Sequence, residues 1–183
     1  MIQFETDSLK YMATVPDNHF QLIIADPPYD IHRAAMMDFH SEFKRICKGD
    51  ILVFCPPENQ WLFPDCKLLF WCKSSSTKNY SKNYGRFVEM IFRYPRSKSK
   101  FNSNLHWSNY TGCYNDVVVS TEQHPYKKPE SLIERLIRIH SDPGDLIFDP
   151  FAGSGTVEDC GTRLGRIVTS CEIAQASGIG RIL

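Results

Sequence analysis

Three short apolar runs in this chain end on an acid: residues 21–25 run into Asp26, residues 146–148 into Asp149, and residues 166–171 into Glu172. The first two carry no polar alternation, so each is a strand buried on both faces, which requires helices on either side of a sheet. Helical spacing appears between such runs. Residues 33–47 place Met36, Phe39, Phe43, Ile46 and Cys47 on one face and stop at Gly49. Residues 129–140 open on Pro129 and align Leu132, Ile133, Leu136 and Ile137. This alternation predicts an α/β fold around a mostly parallel sheet. Further strands are expected over 1–5, 51–55, 67–72, 87–94 and 116–121. A short helix over 7–15 is capped by Asp7, another helix starts near Thr156, and 97–114 reads as loop.

Composition narrows the class. A chain of 183 residues, 42% hydrophobic, suits one domain with a real core. Twelve Phe, eight Tyr and three Trp at zero net charge exclude disorder as the main state. The apolar runs are far short of the roughly 20 residues a spanning helix needs. The first residues, Met1-Ile2-Gln3-Phe4-Glu5, show no secretory pattern. Seven cysteines, odd in number and without a Cys-x-x-Cys pair, point to reduced thiols in a cytoplasmic protein and to no metal site.

Zero net charge hides an asymmetry. Between Lys67 and Lys100 stand nine basic residues and a single acid, Glu89, so the remainder of the chain is acidic. Lys73, Lys78, Lys82, Arg86, Arg93, Arg96, Lys98 and Lys100 are interleaved with Tyr80, Tyr84, Phe87 and Tyr94. Such a segment can neutralise phosphates and stack on unpaired bases, or it can be a solvated loop beside two core strands.

Four acids, Asp7, Asp26, Asp149 and Glu172, follow strands. In an open parallel sheet those strand ends form one rim, where ligands bind at the switch point of strand order. Asp149-Pro150-Phe151-Ala152-Gly153-Ser154-Gly155-Thr156 is a strand-to-helix turn whose glycines admit close approach to the backbone. Glu172, 19 residues past Gly153, stands where a carboxylate can accept hydrogen bonds from ribose hydroxyls. A nucleoside-containing cofactor is the natural reading, an ordinary tight turn the plain one. A dinucleotide fits poorly, because Glu158 stands where its fingerprint has the third glycine.

Asp26-Pro27-Pro28-Tyr29 is sharper. Two prolines remove two backbone donors after a buried strand. What remains is a carboxylate and neighbouring carbonyls beside an aromatic ring, a set suited to a planar base with an exocyclic amine. The same residues can also simply terminate a strand.

Together with Phe151–Thr156 and His124-Pro125-Tyr126-Lys127-Lys128-Pro129, this motif resembles the S-adenosylmethionine-dependent DNA amino-methyltransferases of the N6-adenine/N4-cytosine family. The order, catalytic motif first and cofactor motif last, resembles the permuted beta group. The likeness extends through Asp7-Ser8-Leu9, where the family's Gly-Asp-Ser has Thr6 in place of Gly, and through Pro143-Gly144-Asp145. It implies one Rossmann-like methyltransferase domain over 1–183, circularly permuted in motif order, with a small target-recognition insert at about 73–114.

The resemblance also implies roles. Asp149, Phe151, Gly153 and Gly155 would line the methionine end of S-adenosylmethionine, Glu172 its ribose, and Asp7 the neighbourhood of its adenine. His124 and Lys128 would close over the methionine carboxylate. Asp26, Pro27, Pro28 and Tyr29 would grip the base, and Asp at the first motif position goes with adenine N6 more often than with cytosine N4. The expectation is a DNA adenine-N6 methyltransferase of restriction–modification type, with cytosine-N4 methylation and a non-catalytic DNA-binding partner as rivals. DNA contacts are expected from Lys73, Lys78, Lys82, Arg86, Arg96, Lys98 and Lys100. Familiar members of the group are longer, so a homodimer is expected to share the DNA grip.

Overall fold

The structure, a computed structural model, describes residues 2–5, 7–28, 31–56, 60, 64–73, 87–117 and 127–172. In chain order the elements are β1 (Ile2–Glu5), α1 (Ser8–Thr14), β2 (Phe20–Ala25), α2 (Arg33–Ile46), β3 (Cys47–Cys55), β4 (Lys67–Cys72), β5 (Val88–Pro95), β6 (Cys113–Tyr114), α3 (Glu130–His140), β7 (Leu146–Asp149), α4 (Thr156–Arg163) and β8 (Ile167–Glu172). One sheet takes all the described strands in the order β1-β8-β7-β2-β3-β5-β4-β6. Five strands, β1, β8, β7, β2 and β3, run parallel, while β5 lies antiparallel between β3 and β4.

Side-chain alternation builds the two cores. Along β2, Ile23 and Ala25 face one way and join Ile51, Val53, Phe92 and Phe148 under α1 and α2. Leu22 and Ile24 face the other way, with Leu52, Phe54, Trp71 and Ile91, under α3 and α4. The second face is closed by Leu132, Ile133, Leu136 and Ile137, the stripe that the helical period marked. Both faces of the central strands are therefore covered, as their unbroken apolar character requires. Gly161 lets α4 settle on the sheet, since a Cβ there would meet Val168 Cγ2 at 2.4 Å.

Three expectations about local structure are corrected. Gly49 does not stop a helix. Helix α2 ends at Ile46, and Gly49 lies inside β3, where a Cβ would meet the Gln21 carbonyl oxygen at 1.9 Å. The sheet demands glycine there, next to the register shift between Phe20 and Leu22. The stretch 97–114 is not loop throughout. It holds a 3-10 turn at Trp107–Tyr110 and the short strand β6, organised by Tyr110, whose hydroxyl donates to the Asn102 carbonyl at 2.6 Å. Finally, residues 116 and 117 of the strand expected at 116–121 are not strand, and 118–121 lie outside the described residues. Asp116 is instead tied down by Trp71 Nε1, which donates to its carbonyl at 2.9 Å, and by Ser131 Oγ, which donates to its carboxylate at 2.6 Å.

Candidate active site

Strands β2 and β7 are neighbours, with Leu22 opposite Ile147 and Ile23 opposite Phe148. From β2 the chain steps to β3 on one side, and from β7 it steps to β8 on the other. The crevice between β2 and β7 is therefore the switch point of strand order, the place where open α/β sheets receive ligands. Asp26 follows β2 and Asp149 ends β7, so two acids 123 residues apart in sequence meet there. Glu172, at the end of β8, stands on the same rim.

Asp149 is buried, and its Oδ1 accepts the Phe151 N–H at 3.1 Å. Burial is the main force on its carboxyl, and the neighbouring charges of Asp26, Glu172 and Glu158 add to it. Together they push its pKa up to about 8. The turn that follows is held by backbone and by Glu172. The Ala152 N–H donates to the Cys171 carbonyl at 2.9 Å, and the Gly153 N–H donates to Glu172 Oε2 at 2.6 Å. Gly153 and Gly155 have φ of +49° and +73°, a region that side chains with a Cβ rarely adopt. Around a would-be Cβ of Gly155 there is nothing within 4 Å. The glycines thus set the backbone's path and leave open space beside it. Gly155 starts α4 without any side-chain cap, which leaves that helix end to other acceptors.

Asp7 caps α1, its Oδ1 accepting the Leu9 N–H at 3.0 Å, and Ser8 Oγ donates to the Pro150 carbonyl at 2.5 Å. The start of α1 is thereby pinned to the Asp149 turn. Phe151 lies with its ring 5.0 Å from that of Phe39. Pro27 is buried and Pro28 exposed, and the Pro28 carbonyl accepts the Ile31 N–H at 3.1 Å. Tyr29 and His124 lie outside the described residues.

Lys128 stands beside Asp26. Its Nζ donates to Asp26 Oδ2 at 2.6 Å and lies 3.4 Å from Glu89 Oε2. It also stands 5.0 Å from the centre of the Phe54 ring. Glu89 in turn pairs with Lys73. The rim thus carries the sequence Asp26, Lys128, Glu89, Lys73 of alternating charge. Burial raises the Asp26 carboxyl above the usual range, against the pull of Lys128. Glu89 belongs to none of the motifs; its signal was only that it is the single acid in a basic segment. Glu158 was read as an obstacle to a dinucleotide, and it is in fact buried in the first turn of α4, adding its charge to the field on Asp149.

The expected DNA-contacting residues are divided. Lys73, after β4, is at the rim. Because β5 runs antiparallel, its start lies at the rim and its end points away from it; Arg93 lies opposite Leu52, level with Ile24, with its side chain turned to Asp50. Arg96 and Lys98 continue from that far end, their N–H groups donating to the carbonyls of Gly49 and Lys48. Lys100 bonds Asp142 and Asp145, each at 2.8 Å, just before β7 begins. Arg96, Lys98 and Lys100 are therefore separated from Asp26 by the length of the sheet, a correction to the single basic patch read from the sequence. Arg93 donates to the fully buried Asp50 at 2.8 Å. Lys78, Lys82 and Arg86 lie outside the described residues.

Among the described residues no group of three or more His, Cys, Asp or Glu is arranged to hold a metal ion. No helix among them is long and apolar enough to cross a membrane.

A doubly wound sheet with an antiparallel strand inserted beyond β3, acids gathered at its switch point, and a glycine turn ahead of α4 define a Rossmann-like methyltransferase. The model of the DNA methylase family, the N6/N4 methyltransferases, matches residues 50–177, and the chain belongs to that family. It is an S-adenosylmethionine-dependent DNA methyltransferase. The chain is 25% identical to the DNA adenine methyltransferase YhdJ of Escherichia coli K12, over 91% of its own length and 76% of that protein's. It is 24% identical to the type II methyltransferase M2.DpnII of Streptococcus pneumoniae, with 91% and 82% covered. In fold it is similar to M1.HpyAVI in its complex with S-adenosylmethionine, with a TM-score of 0.73, 20% identity, and 95% and 93% of the two chains covered. It is also similar to the cytosine-N4-specific PvuII DNA methyltransferase, with a TM-score of 0.74, 16% identity, and 93% and 81% covered.

The residues present fit that cofactor. The glycine turn leaves room beside its backbone, and the helix end behind it is uncapped. The acids Asp26, Glu158 and Glu172 gathered around Asp149 make a negative field suited to a ligand that carries a sulfonium and an ammonium group.

Proposed function

We propose that this protein methylates the N6 amine of adenine in DNA. The observation that carries the reading is Asp26, an acid rather than a serine at the head of the catalytic motif, standing at the switch point beside Asp149. Two relatives support it: YhdJ is named for adenine, and M2.DpnII is a type II methyltransferase. When bound, the cofactor supplies a methyl group already activated by sulfonium charge. Asp149, Phe151, Gly153 and Gly155 hold its methionine end, Glu172 its ribose, and Asp7 lies toward its adenine.

The target amine donates to the Asp26 carboxylate and to the carbonyl of Pro27, while Pro28 stiffens the turn and Tyr29 stacks on the base. Those acceptors draw the nitrogen lone pair out of conjugation with the ring and toward the methyl group. The cofactor would supply the methyl group and keep the electron pair of its C–S bond, Asp26 would hold the amine in line, and the proton released from the nitrogen would pass to solvent water. The fixed negative charge of Asp26 favours the positive charge developing on nitrogen. A base in a duplex is first flipped out, with backbone contacts from Lys73 and the basic residues that follow it, Lys78, Lys82 and Arg86, in a recognition insert at about 73–114. A homodimer supplies the rest of the grip on DNA.

Cytosine-N4 methylation is the second reading, favoured by the likeness in fold to the cytosine-N4-specific PvuII enzyme. Nucleoside mass spectrometry on DNA from a methylation-free host expressing the protein separates the two. N6-methyladenine is the expected product; N4-methylcytosine would keep the mechanism and overturn the choice of base.

A further inference from the structure

Strand alternation puts Asp26, Glu89 and Lys73 on one side of the sheet. Asp26 continues the parity of Leu22 and Ile24, Glu89 that of Ile91, and Lys73 that of Trp71, all of which face α3. Lys128 stands just before α3 on that same side. The side chains of Lys128 and Glu89 are 10% and 15% exposed, Lys73 19% and Asp26 32%, so a nearly buried pair links a partly exposed carboxylate and ammonium, with charges that neutralise one another. Buried charges persist where each has a partner of opposite sign.

We infer that Glu89 and Lys128 are a positioning pair for Asp26: Lys128 holds Oδ2 and leaves Oδ1 to the target amine, and Glu89 holds Lys128. The inference rests on the reading of Asp26 as the amine's acceptor. A carboxylate held by one oxygen has its plane fixed, which an acceptor needs if amine and methyl are to be aligned. A lysine alone is a poor clamp, because its ammonium sits on a flexible four-carbon stem. Here the ammonium stands over the Phe54 ring and is caught between Asp26 and Glu89. Lys73, paired to Glu89 and 4.9 Å from the Trp71 ring centre, backs the arrangement.

The charged groups that face Asp26 are Lys128 before α3, Glu89 on β5, Lys73 after β4 and Asp149 at the end of β7. Lys128 and Lys73 favour its ionised form, while burial and Glu89 oppose them. Removing Lys128 therefore raises the Asp26 pKa and moves the acid limb of the rate profile to higher pH. A methionine-carboxylate role for Lys128, implied by its motif, has a different signature: weaker cofactor binding and an unmoved acid limb.

The test uses the purified full chain, duplex DNA bearing its mapped site, and S-adenosylmethionine. Lys128→Met is expected to lower kcat by about 100-fold, the scale of a misplaced reacting group. Its acid limb should rise by about one pH unit, with cofactor affinity changed less than about twofold. Glu89→Gln should lower kcat at least about tenfold with the KM for cofactor unchanged, and Lys128→Arg should recover part of the Lys128→Met loss. Wild-type kcat in Glu89→Gln, or a Lys128→Met variant that loses only cofactor affinity, overturns the inference. Lys128→Arg keeps the charge and tests the role should Lys128→Met not fold. Asp26→Asn separates the two levels of the argument: wild-type transfer there sinks the acceptor reading itself. An inactive Asp26→Asn beside a fully active Glu89→Gln sinks the positioning pair alone.

Discussion

The Gly153 N–H donates to Glu172 Oε2 at 2.6 Å, joining the glycine turn after β7 to the acid at the end of β8. The carboxylate therefore does two things at once. One oxygen fixes the turn, and in the proposed function the other accepts from the ribose hydroxyls of the cofactor. A charge-assisted hydrogen bond of this kind contributes about 1.5–3 kcal/mol. Glu172→Ala is expected to weaken S-adenosylmethionine binding by at least about tenfold, about 1.4 kcal/mol, in titration calorimetry. DNA affinity in the same variant should stay within about twofold. Unchanged cofactor affinity would remove Glu172 from the cofactor site.

Asp149 makes a pH-dependent contribution to stability. Its carboxyl has a pKa of about 8 in the fold against an ordinary value of 3.8, so the native state holds a proton that the unfolded chain gives up. Stability from this group is complete below about pH 4 and is lost as pH rises through about 8. His40 works in the opposite sense: burial pushes its pKa down to about 4, so its contribution is lost as pH falls below 6.5. Asp149→Asn keeps the acceptor for the Phe151 N–H and removes the charge. Measured without cofactor at pH 8, it should gain at least about 1 kcal/mol, or about 2–4 °C in Tm. The gain should vanish by pH 4. A difference between variant and wild type that is flat with pH would contradict the assignment.

Arg93 supports the fold from within the sheet. Asp50 is fully buried, and Arg93 Nε and Ser99 Oγ donate to it at 2.8 and 2.7 Å, with His140 Nδ1 at 3.5 Å. Burial pushes this carboxyl up, and His140, Arg93 and Ser99 more than reverse it, holding it below the ordinary range. Arg93→Ala removes one of the partners of that buried charge, a loss of about 3–5 kcal/mol. Thermal unfolding should show a Tm lower by about 10 °C. A Tm within about 2 °C of wild type would refute the structural role.

Lys98 and Lys100 test the separation of the basic residues. Each phosphate neutralised on duplex DNA contributes about 0.9 to the slope of log affinity against log salt. If both lysines met phosphates, the double variant Lys98→Ala/Lys100→Ala would lower that slope by about 2. The expected slope is unchanged, because Lys100 is engaged with Asp142 and Asp145 at the end of the sheet away from Asp26. A fall of about 2 would bring DNA to that end of the molecule.

Much of the architecture was legible because period and burial are local signals. The α3 stripe and the two-sided strands β2 and β7 follow from spacing alone, and the motif residues fall where those strands end. Gly49 was misread because a glycine after a helix is usually a stop. Its real cause, the Gln21 carbonyl pressed against it, lies on another strand. The basic segment misled for a related reason. Sequence proximity suggests one patch, but an antiparallel strand carries its two ends to opposite edges of the sheet.

The sequence by itself determined the layered α/β fold, the permuted order of the motifs, and the chemical types at the rim, because each depends on residues near one another in the chain. Only the tertiary structure decided which charges meet. Lys128 reaches Asp26 across 102 positions and Glu89 arrives from a strand outside every motif, because the pairing of β5 with β3 and the docking of α3 set those distances. Coulomb energy depends on separation in space, and the order of residues along a chain does not specify it.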